Sequence, residues 1–223
     1  MNGKLIVIEG LDGSGKSTQT ALIKERIEKC GKSIKQIKLP DYESDSSALV
    51  RMYLSGKFGS DPSDVNTYAT SLFYTVDRFA NYNNVWKDDY KNGAVILADR
   101  YTTSNAVHQM VKLPKEKWDE YLNWLEDIEY NKVGIPKPDA VIFLDMPVDV
   151  SQRLMTERYS GDENKKDVHE ANVNYLISCH ASALYAAKKL GWSVVNCAVD
   201  GNPRSIEEIN EDIFKEIKDI VGI

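Results

Sequence analysis

The clearest chemical pattern lies between positions 10 and 17, where the sequence is Gly-Leu-Asp-Gly-Ser-Gly-Lys-Ser. This segment satisfies the phosphate-binding pattern G-x-x-x-x-G-K-[S/T] in full. Its glycines let backbone N–H groups converge on phosphate oxygens, and the N-terminus of a following helix adds positive potential. Lys16 would reach the β- and γ-phosphates, and the hydroxyl of Ser17 would coordinate Mg²⁺. We therefore expect a site for ATP, or another nucleoside triphosphate, made of Gly10, Asp12, Gly13, Ser14, Gly15, Lys16, Ser17 and Thr18.

A carboxylate near the metal is expected at the carboxyl end of a neighbouring strand. The apolar segments 94–99 and 140–145 both end in aspartate, so Asp99 and Asp145 are both eligible. Arg100 follows Asp99 and puts a cation beside the metal site, which suits a second phosphorylated substrate better than simple hydrolysis of ATP. We predict Ser17 and Asp99 as the metal ligands. The alternative explanation for either aspartate is an ordinary turn residue at a strand end.

Three arginines far from Lys16 in the sequence could hold an acceptor phosphate: Arg51, Arg78 and Arg100. Tyr74 and Arg78 are four residues apart and therefore share one face of a helix. An aromatic ring beside a guanidinium can stack on a base and hydrogen-bond its edge. The alternative is a tyrosine packed in the core, with Arg78 paired to an acidic side chain at the surface.

Short, nearly continuous apolar segments are typical of buried parallel strands, and amphipathic segments between them are typical of helices. Their alternation predicts one α/β domain with about five parallel strands and helices on both faces. The strands are expected at residues 4–9, 34–39, 94–99, 140–145 and 193–198. The helices are expected at 17–30, 66–90 with a break near 82–84, 115–130, 149–159, 168–190 and 205–220.

The composition is that of a globular protein with an acidic balance. The 223 residues carry 28 Lys and Arg against 34 Asp and Glu, a net charge of −6. This charge argues against nucleic acid as a partner, and no apolar run reaches the roughly 18 residues needed to span a membrane. The three cysteines are far apart and lack metal-ligand spacing. We expect a cytoplasmic protein with a single domain over residues 1–223.

The chain resembles the thymidylate kinase (dTMP kinase) family over most of its length. The segments that carry the resemblance are IEGLDGSGKST, LPDY followed by Arg51, LFYTVDR, DRYTTSNAVHQ and GIPKPDAVIFLD. The resemblance implies a P-loop NTPase fold, a homodimer that could associate through apolar positions of the helix at 66–82, and transfer of the γ-phosphoryl group of ATP to dTMP with Mg²⁺. It further implies a lid at about residues 153–170.

Individual roles follow from the same resemblance. Asp12 would contact the 3′-hydroxyl of dTMP, and Asp99 would organise the metal and the acceptor. Tyr74 would stack on thymine, with Arg78 at the edge of the base. The phosphate of dTMP would be held by Arg51 and Arg100, with Tyr42 close to it. Along the nucleoside would lie Ser104, Asn105 facing the base, and His108 near the sugar. The expected catalytic residues are Lys16, Asp99, Arg100 and Arg158.

Three positions depart from the pattern of many relatives. Tyr74 stands where the commoner residue is phenylalanine, and the adjacent Phe73 is the alternative stacking ring if the helix register differs. His108 stands where many relatives carry a tyrosine that crowds the 2′ position of the sugar, which puts discrimination against ribonucleotides in question. Gly13 stands where some members carry an arginine, so the cation that stabilises the transition state is expected from the lid. Because an arginine provides a bidentate fork that lysine lacks, Arg158 is preferred over the other lid cations, Lys165, Lys166 and Arg153.

Two other functions remain compatible with the motifs. A kinase for another pyrimidine nucleotide or a deoxynucleoside would share the phosphate loop, although a nucleoside acceptor has no phosphate for Arg51 to hold. A non-catalytic nucleotide-binding protein would also retain the loop, although it would not need Lys16, Asp99 and a basic lid together. A GTPase is not supported, because the segment 131–134 lacks the aspartate of a guanine-binding motif.

Overall fold

Five parallel strands form the central sheet in the computed structural model, which describes residues 2–158 and 172–223. The strands are β1 (Lys4–Gly10), β2 (Ile34–Lys38), β3 (Val95–Asp99), β4 (Ala140–Asp145) and β5 (Ser193–Asn196). Their order is β2-β3-β1-β4-β5, with every neighbouring pair parallel. The predicted α/β fold with a five-stranded parallel sheet is confirmed, and each strand overlaps the apolar segment that predicted it.

Helices cover both faces of the sheet because side chains of a strand alternate between its faces. The helices are α1 (Lys16–Lys29), α2 (Ala48–Leu54), α3 (Thr67–Asn81), α4 (Lys87–Lys91), α5 (Thr103–His108), α6 (Trp118–Glu126), α7 (Val148–Arg158), α8 (Val173–Leu190) and α9 (Ile206–Val221). Ile6 and Ile8 of β1 pack into one apolar cluster with α1 and α9, whereas Leu5 and Val7 pack into a cluster on the other face. A third cluster joins α5, α6 and α8 to β4.

Two of the predicted helices are interrupted by π-helical turns. The expected break near residues 82–84 falls in the first turn, Tyr82–Trp86. The helix expected at 115–130 is instead a 3₁₀ turn, then α6, then a second π-helical segment, Asp127–Val133. A π turn holds more residues than an α turn, so the face turned to the interior changes. Glu129 is fully buried as a result, whereas Ile128, which an α-helical continuation of the buried Leu125 would turn to the interior, is only half-buried.

The sequence pattern did not predict the short elements α2, α5 and a hairpin of β6 (Ala198–Val199) and β7 (Asn202–Pro203). The strand expected at 193–198 is therefore too long, because Ala198 pairs with Pro203 in a separate antiparallel sheet. Most of the expected lid lies outside the described residues. Across residues 2–158 and 172–223, no helix is long and apolar enough to cross a membrane.

Candidate active site

The phosphate-binding segment is the loop between the end of β1 at Gly10 and the start of α1 at Lys16. Gly15 precedes the helix with a left-handed backbone (φ 86°), which favours glycine. Gly13 is also left-handed, and a Cβ there would lie 2.5 Å from the carbonyl oxygen of Ser151 on α7. The loop is thus packed directly against α7, and the first N–H groups of α1 are available for an anion.

Lys16 folds back onto this loop. Its Nζ donates a hydrogen bond to the carbonyl oxygen of Leu11 at 2.8 Å and lies 3.8 Å from Oδ1 of Asp12. Burial and the nearby charge of Arg100 together lower the pKa of Lys16 to about 8, against the opposing effect of the neighbouring carboxylates. The ammonium is therefore close to losing its proton at neutral to mildly alkaline pH.

This lowered pKa predicts proton uptake when a triphosphate binds. Its negative charge would raise the pKa of Lys16 from about 8, so the complex holds more protons than the free protein at and above that pH. Calorimetric titration in two buffers of different ionisation enthalpy should show uptake near pH 8, smaller towards about pH 7 where free Lys16 is already protonated. The same uptake in Lys16→Met would contradict this assignment.

Ser17 and Asp99 lie together at the carboxyl ends of β1 and β3. The hydroxyl of Ser17 donates to Oδ2 of Asp99 at 2.8 Å. The other eligible aspartate, Asp145, pairs instead with Nε2 of His180 at 2.6 Å. One hydroxyl and one carboxylate fit Mg²⁺, which is usually held by one or two protein oxygens together with substrate phosphates. Within the described part of the chain no three His, Cys, Asp or Glu side chains form a metal cluster.

Arg100 is at the centre of the charged groups of this site. It adopts a left-handed backbone (φ 69°) directly after β3. Its Nη2 donates to Oδ1 of Asp12, and its Nη1 lies 3.6 Å from Oε1 of Glu9. Burial alone would raise the pKa of Asp12, but the positive charges of Arg100 and Lys16 hold that pKa well below its usual range. Asp12 thus connects the two cations and stays ionised.

Glu9 is a site residue that the sequence analysis missed. It is fully buried at the end of β1. Its Oε1 accepts from the backbone N–H of Gly10 at 2.9 Å, and its Oε2 accepts from the hydroxyls of Thr103 at 2.6 Å and Ser104 at 2.7 Å. A single carboxylate therefore holds the start of the phosphate loop, Arg100 and the start of α5. The available signal was an acidic residue at the end of an otherwise apolar strand.

Helix α5 contributes the other predicted acceptor residues. The hydroxyl of Ser104 faces Glu9, and Nη1 of Arg100 lies 3.5 Å from it. Asn105 is buried and donates from Nδ2 to the backbone carbonyl of Ser71 on α3 at 3.3 Å. His108, one helical turn from Ser104, lies against Arg100. Ser104, Asn105 and His108 thus lie between the phosphate loop and α3.

Arg78 on α3 is held by a buried carboxylate that the sequence analysis did not identify. Its Nη2 and Nε both donate to Glu129 of the second π-helical segment, the latter at 3.3 Å, and the hydroxyl of Thr75 also donates to Glu129 at 2.7 Å. Burial opposes the charge of Arg78, but Glu129 outweighs it and raises the pKa of Arg78. Tyr74, one turn earlier, is half-buried. The alternative of a surface partner for Arg78 is therefore wrong.

The loop with Tyr42 is fixed to α3 by Asp77. This buried carboxylate accepts from the backbone N–H of Asp41 at 2.9 Å and from the hydroxyl of Ser46 at 2.6 Å. Arg51 on α2 donates from Nη1 to the carbonyl oxygen of Tyr42 at 2.8 Å. Arg51 on α2 thus contacts the exposed loop of Tyr42, whose position depends on α3.

A cavity of about 570 Å³ opens beside the phosphate loop. Arg153, a predicted lid cation on α7, donates from Nη2 to the carbonyl oxygen of Gly201 in the β6–β7 hairpin at 2.6 Å. The side chain of Arg158 and both lid lysines, Lys165 and Lys166, lie outside the described residues. The cavity is lined by the phosphate loop, Lys38, Asp99, Arg100, Met146, Leu154, Met155, Pro203, Arg204, Ile206 and Ile209.

The chain is similar in sequence and in fold to known thymidylate kinases. The chain is 30% identical to a probable thymidylate kinase of Pyrococcus horikoshii over the full length of both proteins. It is 32% identical to a thymidylate kinase of Caenorhabditis elegans, with 92% of this chain and 87% of that protein covered. A solved thymidylate kinase structure from Candida albicans shares the fold, with a TM-score of 0.71 over 98% of this chain and 92% of that one at 22% identity. The family model described as thymidylate kinase matches residues 8–213. This chain belongs to the thymidylate kinase family.

Proposed function

We propose that this protein transfers the γ-phosphoryl group of ATP to dTMP, giving dTDP and ADP. The observation that carries the proposal is the position of Asp12, which bonds Arg100 on the expected acceptor side and lies 3.8 Å from Lys16 on the donor side. Two phosphorylated substrates bound to these cations would meet at one point. Transfer between phosphates requires mainly such alignment and charge neutralisation.

Each residue then has a defined task. Lys16 binds the β- and γ-phosphates, and Ser17 and Asp99 hold Mg²⁺, which neutralises charge on the phosphate oxygens when bound. Arg100 and Arg51 hold the phosphate of dTMP, and Asp12 accepts a hydrogen bond from its 3′-hydroxyl. Tyr42, Ser104, Asn105 and His108 line the nucleotide, and Arg158 supplies a transition-state cation from the lid.

A coupled ADP-release assay tests the function directly. It compares dTMP, dUMP, UMP, dCMP and thymidine as acceptors with ATP and Mg²⁺. Highest turnover with dTMP supports the proposal, and the UMP arm measures whether His108 still excludes a ribose. Turnover with thymidine or another nucleotide alone would preserve the donor site and contradict the acceptor assignments. No turnover with any acceptor would support a non-catalytic nucleotide-binding protein.

Tyr74→Ala is expected to raise KM for dTMP, because the ring proposed to stack on thymine is lost. Stacking of a base on an aromatic ring contributes about 1–3 kcal/mol, so KM should rise by about five- to 150-fold with a small change in kcat. Tyr74→Phe keeps the ring and should retain most of the affinity. An unchanged KM in the alanine variant would move the stacking role to another ring.

We further propose a homodimer formed through α3. Leu72, Val76 and Phe79 are 41%, 55% and 48% exposed and lie on one face of this helix. Adjacent apolar side chains left open to water favour association with an equivalent surface. The remaining proposals are a single domain, supported by three apolar clusters that share one sheet, and a cytoplasmic location.

Val76→Asp is expected to convert the dimer to a monomer, because it places a charge in the centre of the apolar face. Light scattering after size-exclusion chromatography measures the mass. Val199→Asp is the matched control, since Val199 is also 55% exposed but lies in the β6–β7 hairpin. A monomeric wild type, or a dimer that persists in Val76→Asp, would exclude this interface.

A further inference from the structure

The side chain of His108 lies against the guanidinium of Arg100. Nε2 of the ring is 3.1 Å from Nη1 of Arg100, and His108 is only 5% exposed. The nitrogens of a guanidinium donate hydrogen bonds and accept none. Nε2 must therefore be the acceptor, which leaves the ring neutral with its proton on Nδ1.

The other contacts of Arg100 favour one direction for this hydrogen bond, with Arg100 as the donor and the His108 ring as the acceptor. Its Nη2 is bonded to Asp12, and Nη1 is shared between Ser104, His108 and the more distant Glu9. A protonated ring would turn an acceptor into a donor and place two cations in contact in a buried site. The titratable and charged groups of the described residues that face the ring or Arg100 are Glu9, Asp12, Lys16, Tyr42, Asp99, Tyr175 and Cys179.

We propose that neutral His108 is a positioning residue that fixes Arg100 for the phosphate of dTMP, so that acceptor binding weakens when His108 takes up a proton. The inference rests on the proposed function, in which Arg100 holds that phosphate. An imidazole changes its charge between about pH 5 and 8, so the effect falls within the range of ordinary assays.

The test is the ratio of KM for dTMP at about pH 5.5 to that at about pH 8. Titration of the dTMP phosphate near pH ~6 contributes equally to every variant and cancels in the comparison. Glutamine at position 108 can accept from Arg100 but does not titrate. The ratio should therefore be about tenfold smaller in His108→Gln than in the wild type, the value of a hydrogen bond to a charged group.

Two further variants separate positioning from a structural role. His108→Phe removes the acceptor and should raise KM about tenfold at pH ~8, with kcat nearly unchanged and with the small pH ratio of His108→Gln. His180→Gln is the matched control, because His180 pairs with Asp145 rather than with Arg100. It should keep the wild-type ratio. The proposal would be overturned if the KM ratio of His108→Gln equalled that of the wild type. It would also be overturned if the KM ratio of His180→Gln fell to the value expected for His108→Gln.

A measurement without substrate keeps this test independent of the function. Nitrogen NMR of protein labelled at its 3 histidines reports which ring nitrogen carries the proton. The resonances absent from His108→Gln should show the Nδ1–H form at about pH 8. The Nε2–H form would overturn the proposal. No turnover of dTMP by the wild type would count against the proposed function, and the NMR result would then decide the inference alone.

Discussion

Replacing Lys16 by methionine is expected to lower kcat by about 10²- to 10³-fold, the loss typical of removing one group that stabilises charge in a transition state. In the free protein, Nζ of Lys16 donates a hydrogen bond to the carbonyl oxygen of Leu11 and forms an ion pair with the carboxylate of Asp12. These contacts keep the ammonium within the loop where the phosphates would bind. Methionine retains the aliphatic volume but carries no charge, so the fold should be preserved. Steady-state kinetics with ATP and dTMP measure the effect.

Lys24→Met is the matched control for this prediction. Lys24 lies on the same helix, but its Nζ pairs with Glu28 at 2.6 Å on the exposed surface. Because exposed ion pairs contribute little, this variant should keep wild-type kcat and stability. A Lys16→Met enzyme with kcat within about threefold of the wild type would contradict the role given to Lys16.

Glu129→Ala is expected to lower the free energy of unfolding by about 3–5 kcal/mol, because it leaves the Arg78 guanidinium buried without its counter-charge. Both partners are almost completely buried, and Glu129 also accepts from Thr75. Denaturation by urea measures the difference. The control is Glu126→Ala, three residues earlier, where Oε1 pairs with Lys137 at 2.6 Å at the surface. That change should cost no more than about 1 kcal/mol.

A double replacement separates stability from substrate recognition. Arg78→Met with Glu129→Leu removes both charges and replaces them with apolar side chains, which is often neutral or stabilising for a buried pair. The free energy of unfolding should therefore recover. KM for dTMP should be higher than that of the wild type, because the expected contact of Arg78 with the base is gone. If Glu129→Ala alone were as stable as Glu126→Ala, the buried pair would not exist in solution.

The fold was predictable from sequence where local pattern and tertiary environment agree. The continuous apolar segments of β1, β3 and β4 are buried on both faces, and each ends within a residue of the predicted position. The phosphate loop was predictable because its chemistry resides in seven or eight consecutive residues. The rule that parallel strands end at one edge left both Asp99 and Asp145 eligible, and Ser17 lies against Asp99, 82 residues away.

The partners of the arginines were not predictable, since their contacts depend on distant elements. Glu129 faces Arg78 from 51 residues away, and only the π-helical turn brings it to the interior. An α-helical period places Ile128 near that face instead. Glu9 was missed for a different reason. It lies at the end of an apolar strand, whose pattern predicts burial but does not indicate which groups a buried carboxylate would bond.

Helix α3 has two chemically different faces on opposite sides. Asp77 and Arg78 connect it to the loop of Tyr42 and to Glu129, whereas Leu72, Val76 and Phe79 are open to water. If a second copy covers the open face, the acceptor pocket of each chain is braced by its neighbour. Catalytic output per molecule would then depend on abundance. At a low concentration of the protein most chains would be monomers, whose acceptor pocket lacks the support of a second copy. A modest rise in expression would then increase the rate of product formation more than in proportion.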